Sequence, residues 1–172
     1  AMRGQVPPRP IGILLGLSTT LAPFTTRPSF SEVAGLPLAE RAVALADPAR
    51  KARILAEQTG PGFMRLFRLM DEGRKIWLMT DPPNYEPDPA DSLNAQALRR
   101  GFDPWSYIYD ALLQSDGRAL LYTPFANYAE NNLDCCRDMI LHKDTVMGLG
   151  DGGAHVGTIC DASFITSLLT HW

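Results

Sequence analysis

Asp151 sits where the residue types of this chain best fit chemistry, inside Gly148-Leu149-Gly150-Asp151-Gly152-Gly153-Ala154-His155-Val156-Gly157. The apolar run Thr145-Val146-Met147-Gly148-Leu149 leads into this stretch, and a helix-like run from Cys160 to Trp172 follows it. The pattern is a strand that delivers a carboxylate onto a glycine-rich loop. Enzymes of α/β type keep reactive groups at the C-terminal ends of their strands. Glycines leave room beside such a carboxylate and permit backbone angles other residues avoid. Asp between glycines is also ordinary turn chemistry, because its side chain caps nearby backbone N–H groups. The glycine order does not match a dinucleotide fingerprint, and no Lys-Ser/Thr follows, so a phosphate loop is disfavoured.

The other reactive residue types are sparse. A hydrolytic metal site needs several His, Cys or carboxylate ligands converging on the ion. The chain has three histidines, His142, His155 and His171, with no His-x-His pair and no His-Glu-x-x-His. It therefore does not complete a catalytic zinc site by itself. His155 lies four residues past Asp151 and either lines the same cleft or bonds to loop backbone. His142 falls in the last turn of a helical run, where an imidazolium suits the helix dipole. His171 beside Trp172 reads as a helix face of a larger body. No Gly-x-Ser-x-Gly elbow is present, which speaks against a serine hydrolase.

Of three cysteines, Cys135 and Cys136 are adjacent and Cys160 stands alone. That spacing fits neither a disulfide framework nor a zinc knuckle. Reduced, partly buried thiols in a cytoplasmic protein are the expectation. A Cys160 nucleophile needs a base that the sequence does not place, so a small core residue at a helix start is favoured. Asp161 then reads as an N-cap or dipole carboxylate.

Composition narrows the partners. With 172 residues, 45% hydrophobic and 20% charged, the chain can build one domain with a core. A net charge of −3 argues against nucleic acid, since phosphate binding wants clustered Lys and Arg. Arg65, Arg68, Arg74 and Lys75 interleave with Leu66, Phe67, Leu69 and Met70, which reads as a solvated helix face. No stretch approaches the roughly twenty apolar residues of a membrane span. The N-terminus has no signal-peptide pattern, and Ala1-Met2 reads as a cloning remnant.

The elements that must position these groups follow from local signals. Ile11–Leu17, flanked by Pro7, Pro8 and Pro10, is strand or loop. Residues 18 to 30 read as loop. Pro37 starts a helix to about Ala46, with Leu38, Val43 and Leu45 on its apolar face. Asp47-Pro48 caps and opens a second helix through Glu57. Phe63 to Glu72 has helical spacing. Ile76–Thr80 is a short strand, and Asp81 to Pro89 a proline-dense loop. A helix from Asp91 or Ser92 ends at Gly101. Asp103-Pro104 opens another to about Ser115, and Asp116-Gly117 turns. Ala119–Thr123 is a strand, and Asn131 to His142 a helix with Leu133, Cys136 and Ile140 at core spacing. The strands look buried on both sides but too few to close a sheet. The chain opens in a proline-rich run and closes inside a helical one, which reads as an excised piece.

The block from Gly148 to Phe164, ending in Leu168-Leu169-Thr170-His171-Trp172, closely resembles the N-acyl-D-amino-acid deacylase (D-aminoacylase-like) group of the metal-dependent amidohydrolase superfamily. Gln5-Val6, Arg9 to Leu17, Leu36 to Arg41, Gly117 to Leu121 and Asn127 to Glu130 carry the same resemblance. It covers nearly the whole chain. It implies a helix-rich α/β fold that is part of a (β/α)8 TIM barrel: residues 1–17 as a barrel strand and loop, 18–117 as a largely helical insertion and crossover, and 118–172 as the last barrel strands and helices. It implies a parent enzyme that hydrolyses the amide bond of N-acyl-D-amino acids with zinc. In that parent the carboxylate after the eighth strand contacts the metal and handles the proton of the attacking water, and Asp151 inherits the role. Zinc lowers the pKa of bound water towards about 7, and a nearby carboxylate can carry the proton to the leaving amine. His155 and Arg9 would line the substrate cleft. The histidine ligands of earlier strands are absent, so this chain alone should hold zinc weakly or not at all and should not turn over substrate. Exposed barrel edges would favour self-association. The alternative from another class is a non-catalytic binding or assembly module derived from such a barrel.

Overall fold

A computed structural model describes residues 2–58, 74–148, 150, 157–159 and 161–172. Asp151, His155, Cys160, Arg65, Arg68 and the run from Phe63 to Glu72, apart from Arg74 and Lys75 beyond it, lie outside the described residues. The described chain is mixed α/β and rich in helix, with strands too few and too short for a closed barrel.

Helix starts follow the cap chemistry. Helices α1 (Pro28–Ser31), α2 (Leu38–Leu45) and α3 (Pro48–Ala56) come first. The Asp47 carboxylate accepts from Ala49 N at 3.1 Å and Arg50 N at 3.3 Å, which satisfies two donors that the first turn of α3 leaves open. Ser92 caps α4 (Leu93–Arg99) through Ala95 N, and Asp103 caps α5 (Pro104–Leu112) through Ser106 N. Chain direction then reverses at Ser115, Asp116 and Gly117, all left-handed, within the short segment α6 (Gln114–Gly117). The expected helix to Ser115 therefore stops at Leu112, where the left-handed residues break it. Helices α7 (Asp134–Leu141) and α8 (Phe164–His171) follow among the described residues.

Two small sheets carry the strands. In one, β2 (Ile11–Gly16) and β3 (Trp77–Leu78) both pair antiparallel with β4 (Leu120–Ala126). Ile13 sits opposite Thr123 and Leu15 opposite Leu121. The Ile11–Leu17 run is thus a strand, and its antiparallel ladder with β4 sets this sheet apart from a parallel barrel wall. In the other sheet, β1 (Gly4–Val6) and β5 (Thr145–Met147) pair in parallel, Gln5 opposite Val146. The free side of β2 takes residues 157–159: Leu14 N donates to Thr158 O at 2.7 Å and Ile13 bridges Ile159. Gly157 meets Thr20 here, and a Cβ on it would fall 2.5 Å from the Thr20 hydroxyl.

The main core packs Ile13, Leu15 and Leu121 of the antiparallel sheet against Leu45, Ile54, Ile108 and Leu112 of the helices. Phe24 sits at its centre, with ring centroids 5.3 Å from Tyr109 and 6.0 Å from Trp105. A smaller cluster joins Trp77, Tyr128, Leu133 and Cys136. Two sequence expectations fail on burial. Val43 is 76% exposed, because α2 turns only Leu45 fully inward. The β5 strand is not buried on both sides either: Val146 and Met147 are exposed, and only β1 pairs with it among the described residues.

Candidate functional site

Arg9 follows β1 in the turn Pro7–Pro10, and it is only 2% exposed. Its guanidinium lies between two rings, 3.6 Å from the Tyr85 centroid and 4.4 Å from that of Phe164. Nη2 donates to Ser163 Oγ at 2.8 Å, Nε to Ser167 Oγ at 3.1 Å and Nη1 to Pro10 O at 3.3 Å. A buried cation needs this many acceptors to replace lost water. Tyr85 comes from the proline-dense loop, where it also packs edge-on against Tyr122, and its hydroxyl is 3.3 Å from Ser163 Oγ. Trp172 Nε1 donates to Pro8 O at 2.6 Å and ties the end of α8 to the same turn.

These contacts form one wall of an open cleft of about 520 Å³ between the 81–86 loop and α8. Arg9, Tyr85, Glu86, Ser163, Ser167 and His171 are among its lining. Thr166 and Thr170 line it as well, so Ser163, Thr166, Ser167 and Thr170 present a hydroxyl stripe at helical spacing. The apolar residues Ile165 and Leu169 of α8 are 67% and 80% exposed, opposite to an ordinary core helix. Glu86 accepts from Leu133 N at 3.1 Å, which joins the cleft floor to the start of α7. Burial, reinforced by Glu86 and Asp88, pushes the Tyr128 hydroxyl up to about 12, and it donates to Pro87 O.

Of the three site residues expected from sequence, Arg9 lies in this cleft wall. Its donors are committed to serines and a carbonyl, so it shapes the wall from beneath. Asp151 and His155 lie outside the described residues. His142 follows α7 as its C-cap and accepts the Asp144 N–H at Nδ1, 3.2 Å away. Cys136 is buried and Cys135 exposed, both as free thiols. Lys75 gives its ammonium to the Tyr128 and Ala129 carbonyls, and Arg74 is exposed. Among the described residues no three His, Cys, Asp or Glu side chains converge as a metal ion requires. No described helix is long and apolar enough to cross a membrane.

Sequence reasoning missed Tyr85, Ser163 and Ser167. The signals were present: an aromatic inside a proline-dense loop, and hydroxyls spaced three and four apart opposite an apolar helix face. No protein-family model, curated protein or solved structure matches the chain.

Proposed function

We propose that this chain is part of a metal-dependent amidohydrolase that cleaves the amide bond of N-acyl-D-amino acids or related linear amides. The observation that carries the reading is the parallel pairing of β1 with β5. Parallel neighbours end at the same edge of a sheet, the edge where α/β enzymes place reactive groups. Arg9 comes three residues after β1, and Asp151 comes four residues after β5 in the sequence. Adjacent parallel strands followed by these two residues are what the D-aminoacylase-like resemblance calls for in its seventh and eighth barrel strands.

Asp151 is the group assigned to proton transfer: it accepts a proton from the attacking water and returns it to the leaving amine. His155 and the Arg9 wall bound the substrate. The described residues hold no donor set that fits zinc, and the reading gives the metal Asp151 from this chain and its other ligands from outside it. The chain alone is then inactive in a cytoplasmic setting. The exposed Val146, Met147, Ile165 and Leu169 favour, as the second reading, a non-catalytic assembly module that associates through exposed apolar residues.

The test is hydrolysis of an N-acyl-D-amino acid by the complete protein that carries this segment, beside its Asp151→Ala variant. Zinc-dependent hydrolysis that falls about 10²–10⁴-fold in the variant supports the reading. An unchanged rate in the variant, or no hydrolysis by the complete protein, overturns it. Turnover by this chain alone with added zinc would overturn the partial-site reading.

A further inference from the structure

The adjacent cysteines are used by nothing above, yet their thiols converge. Side chains of neighbouring helical residues normally point apart. Here Cys135 and Cys136 stand in the first turn of α7, and both thiols reach one acceptor: Cys135 Sγ is 3.3 Å and Cys136 Sγ 3.9 Å from the carbonyl oxygen of Asn127. Asn127 holds its carbonyl there from a left-handed conformation, φ 62°, which Asn tolerates better than most residues. Cys135 is open to solvent, while Cys136 is packed with Trp77, Tyr128 and Leu133.

This pair is poorly made for a disulfide. Consecutive Cα atoms lie about 3.8 Å apart across a trans peptide, whereas disulfides want about 4.4–6.8 Å. Closing the ring would require opening the first turn of α7. Ring closure is therefore disfavoured, and the two sulfurs share one carbonyl oxygen. Burial pushes the Cys136 thiol up to about 12, so it waits as a neutral S–H until a thiophile displaces the proton. Two sulfurs do not complete the four-coordinate shell of structural zinc. They do suit a soft centre that needs only two thiolates.

We propose that Cys135 and Cys136 form a dithiol capture site for soft thiophiles of low coordination number, represented chemically by trivalent arsenic. With an organoarsenic(III) oxide, two S–H bonds break and two As–S bonds form. The oxide oxygen leaves with both protons as one water. Arsenic stays trivalent, so no oxidant or reductant is needed. Entry is through exposed Cys135, and closure onto Cys136 follows.

The experiment is titration of the purified chain with phenylarsine oxide, read by intact mass and by the count of free thiols. The expected result is one arsenic per chain with the thiol count falling from the three in the sequence to one. Cys135→Ser, on the exposed side, should keep the fold by circular dichroism. It should weaken capture about 10²-fold, because the second bond is no longer intramolecular. Cys136→Ala should do the same, and Cys160→Ser should leave capture intact. Loss of only one thiol per arsenic, equal capture by Cys135→Ser, or dependence on Cys160 would overturn the proposal.

Discussion

Arg9 shows how one residue can organise a cleft it barely touches. Its charge is held between Tyr85 and Phe164, and its donors are spent on Ser163, Ser167 and Pro10. Replacing it with Met keeps bulk but removes the charge between the rings and takes a donor away from Ser163 and from Ser167. The expected loss is about 2–3 kcal/mol, from cation–π contacts worth up to about 2 and a buried bond worth about 1. Urea unfolding checks this, and a midpoint equal to the parent's would refute the clamp. Arg9→Lys should rescue little, since an ammonium cannot fill both rings' faces and both serines at once. The resemblance alone singled out Arg9, as a residue lining a substrate cleft. Its partners were not legible, because Tyr85 and Phe164 lie far away in sequence and only the fold brings them together.

Elements were legible where their signals are local. Asp47-Pro48, Ser92 and Asp103-Pro104 specify their own helix starts, since a cap bond spans two or three residues. Asp47→Ala and Asp103→Ala should each cost about 1 kcal/mol, in thermal or urea unfolding, whereas the same change at exposed Asp138 should cost almost nothing. Equal effects at all three positions would mean that the caps add nothing beyond charge. Strand pairing was not legible, because neither Ile11–Gly16 nor Leu120–Ala126 encodes its partner. Leu38, Val43 and Leu45 suited an inward face, yet tertiary packing turned Val43 to solvent. The four-residue helix at Pro28 escaped notice inside a stretch rich in Thr and Pro, despite a proline at its first position.

For the whole molecule, the buried tyrosine hydroxyls contribute to the pH dependence of stability at the alkaline end. Tyr109 donates to Leu45 O in the main core, and burial pushes it up to about 12, as it does Tyr128 in the smaller cluster. The unfolded chain loses these protons first, near the ordinary tyrosine value of 10.0. Their contribution is therefore complete below pH 10.0 and is lost as pH rises towards about 12. Unfolding free energy measured against pH should decline across that window, and Tyr128→Phe should flatten the decline. Phenolate absorbance that shows all tyrosines ionising together near 10.0 would count against it. At the acid end, the Ser29 hydroxyl holds the Glu57 carboxyl below its usual range, with the Ser29 N–H and nearby Arg53 and Arg27 assisting. That stability is present at neutral pH and fades as pH falls through the lowered value, so Ser29→Ala should make the acid transition begin at higher pH.

The parallel pair of β1 and β5 joins Gly4 to Thr145, so forming it closes a loop that spans most of the chain. Closing so wide a loop costs entropy that three residues on each side repay only weakly. This sheet should be the last part to assemble and the first to open. In native-state hydrogen exchange the amides of Gly4–Val6 and Thr145–Met147 would trade with solvent long before those of Leu15 and Leu121. The edge that bears the Arg9 turn and leads towards Asp151 would then breathe while the antiparallel sheet behind it stays shut.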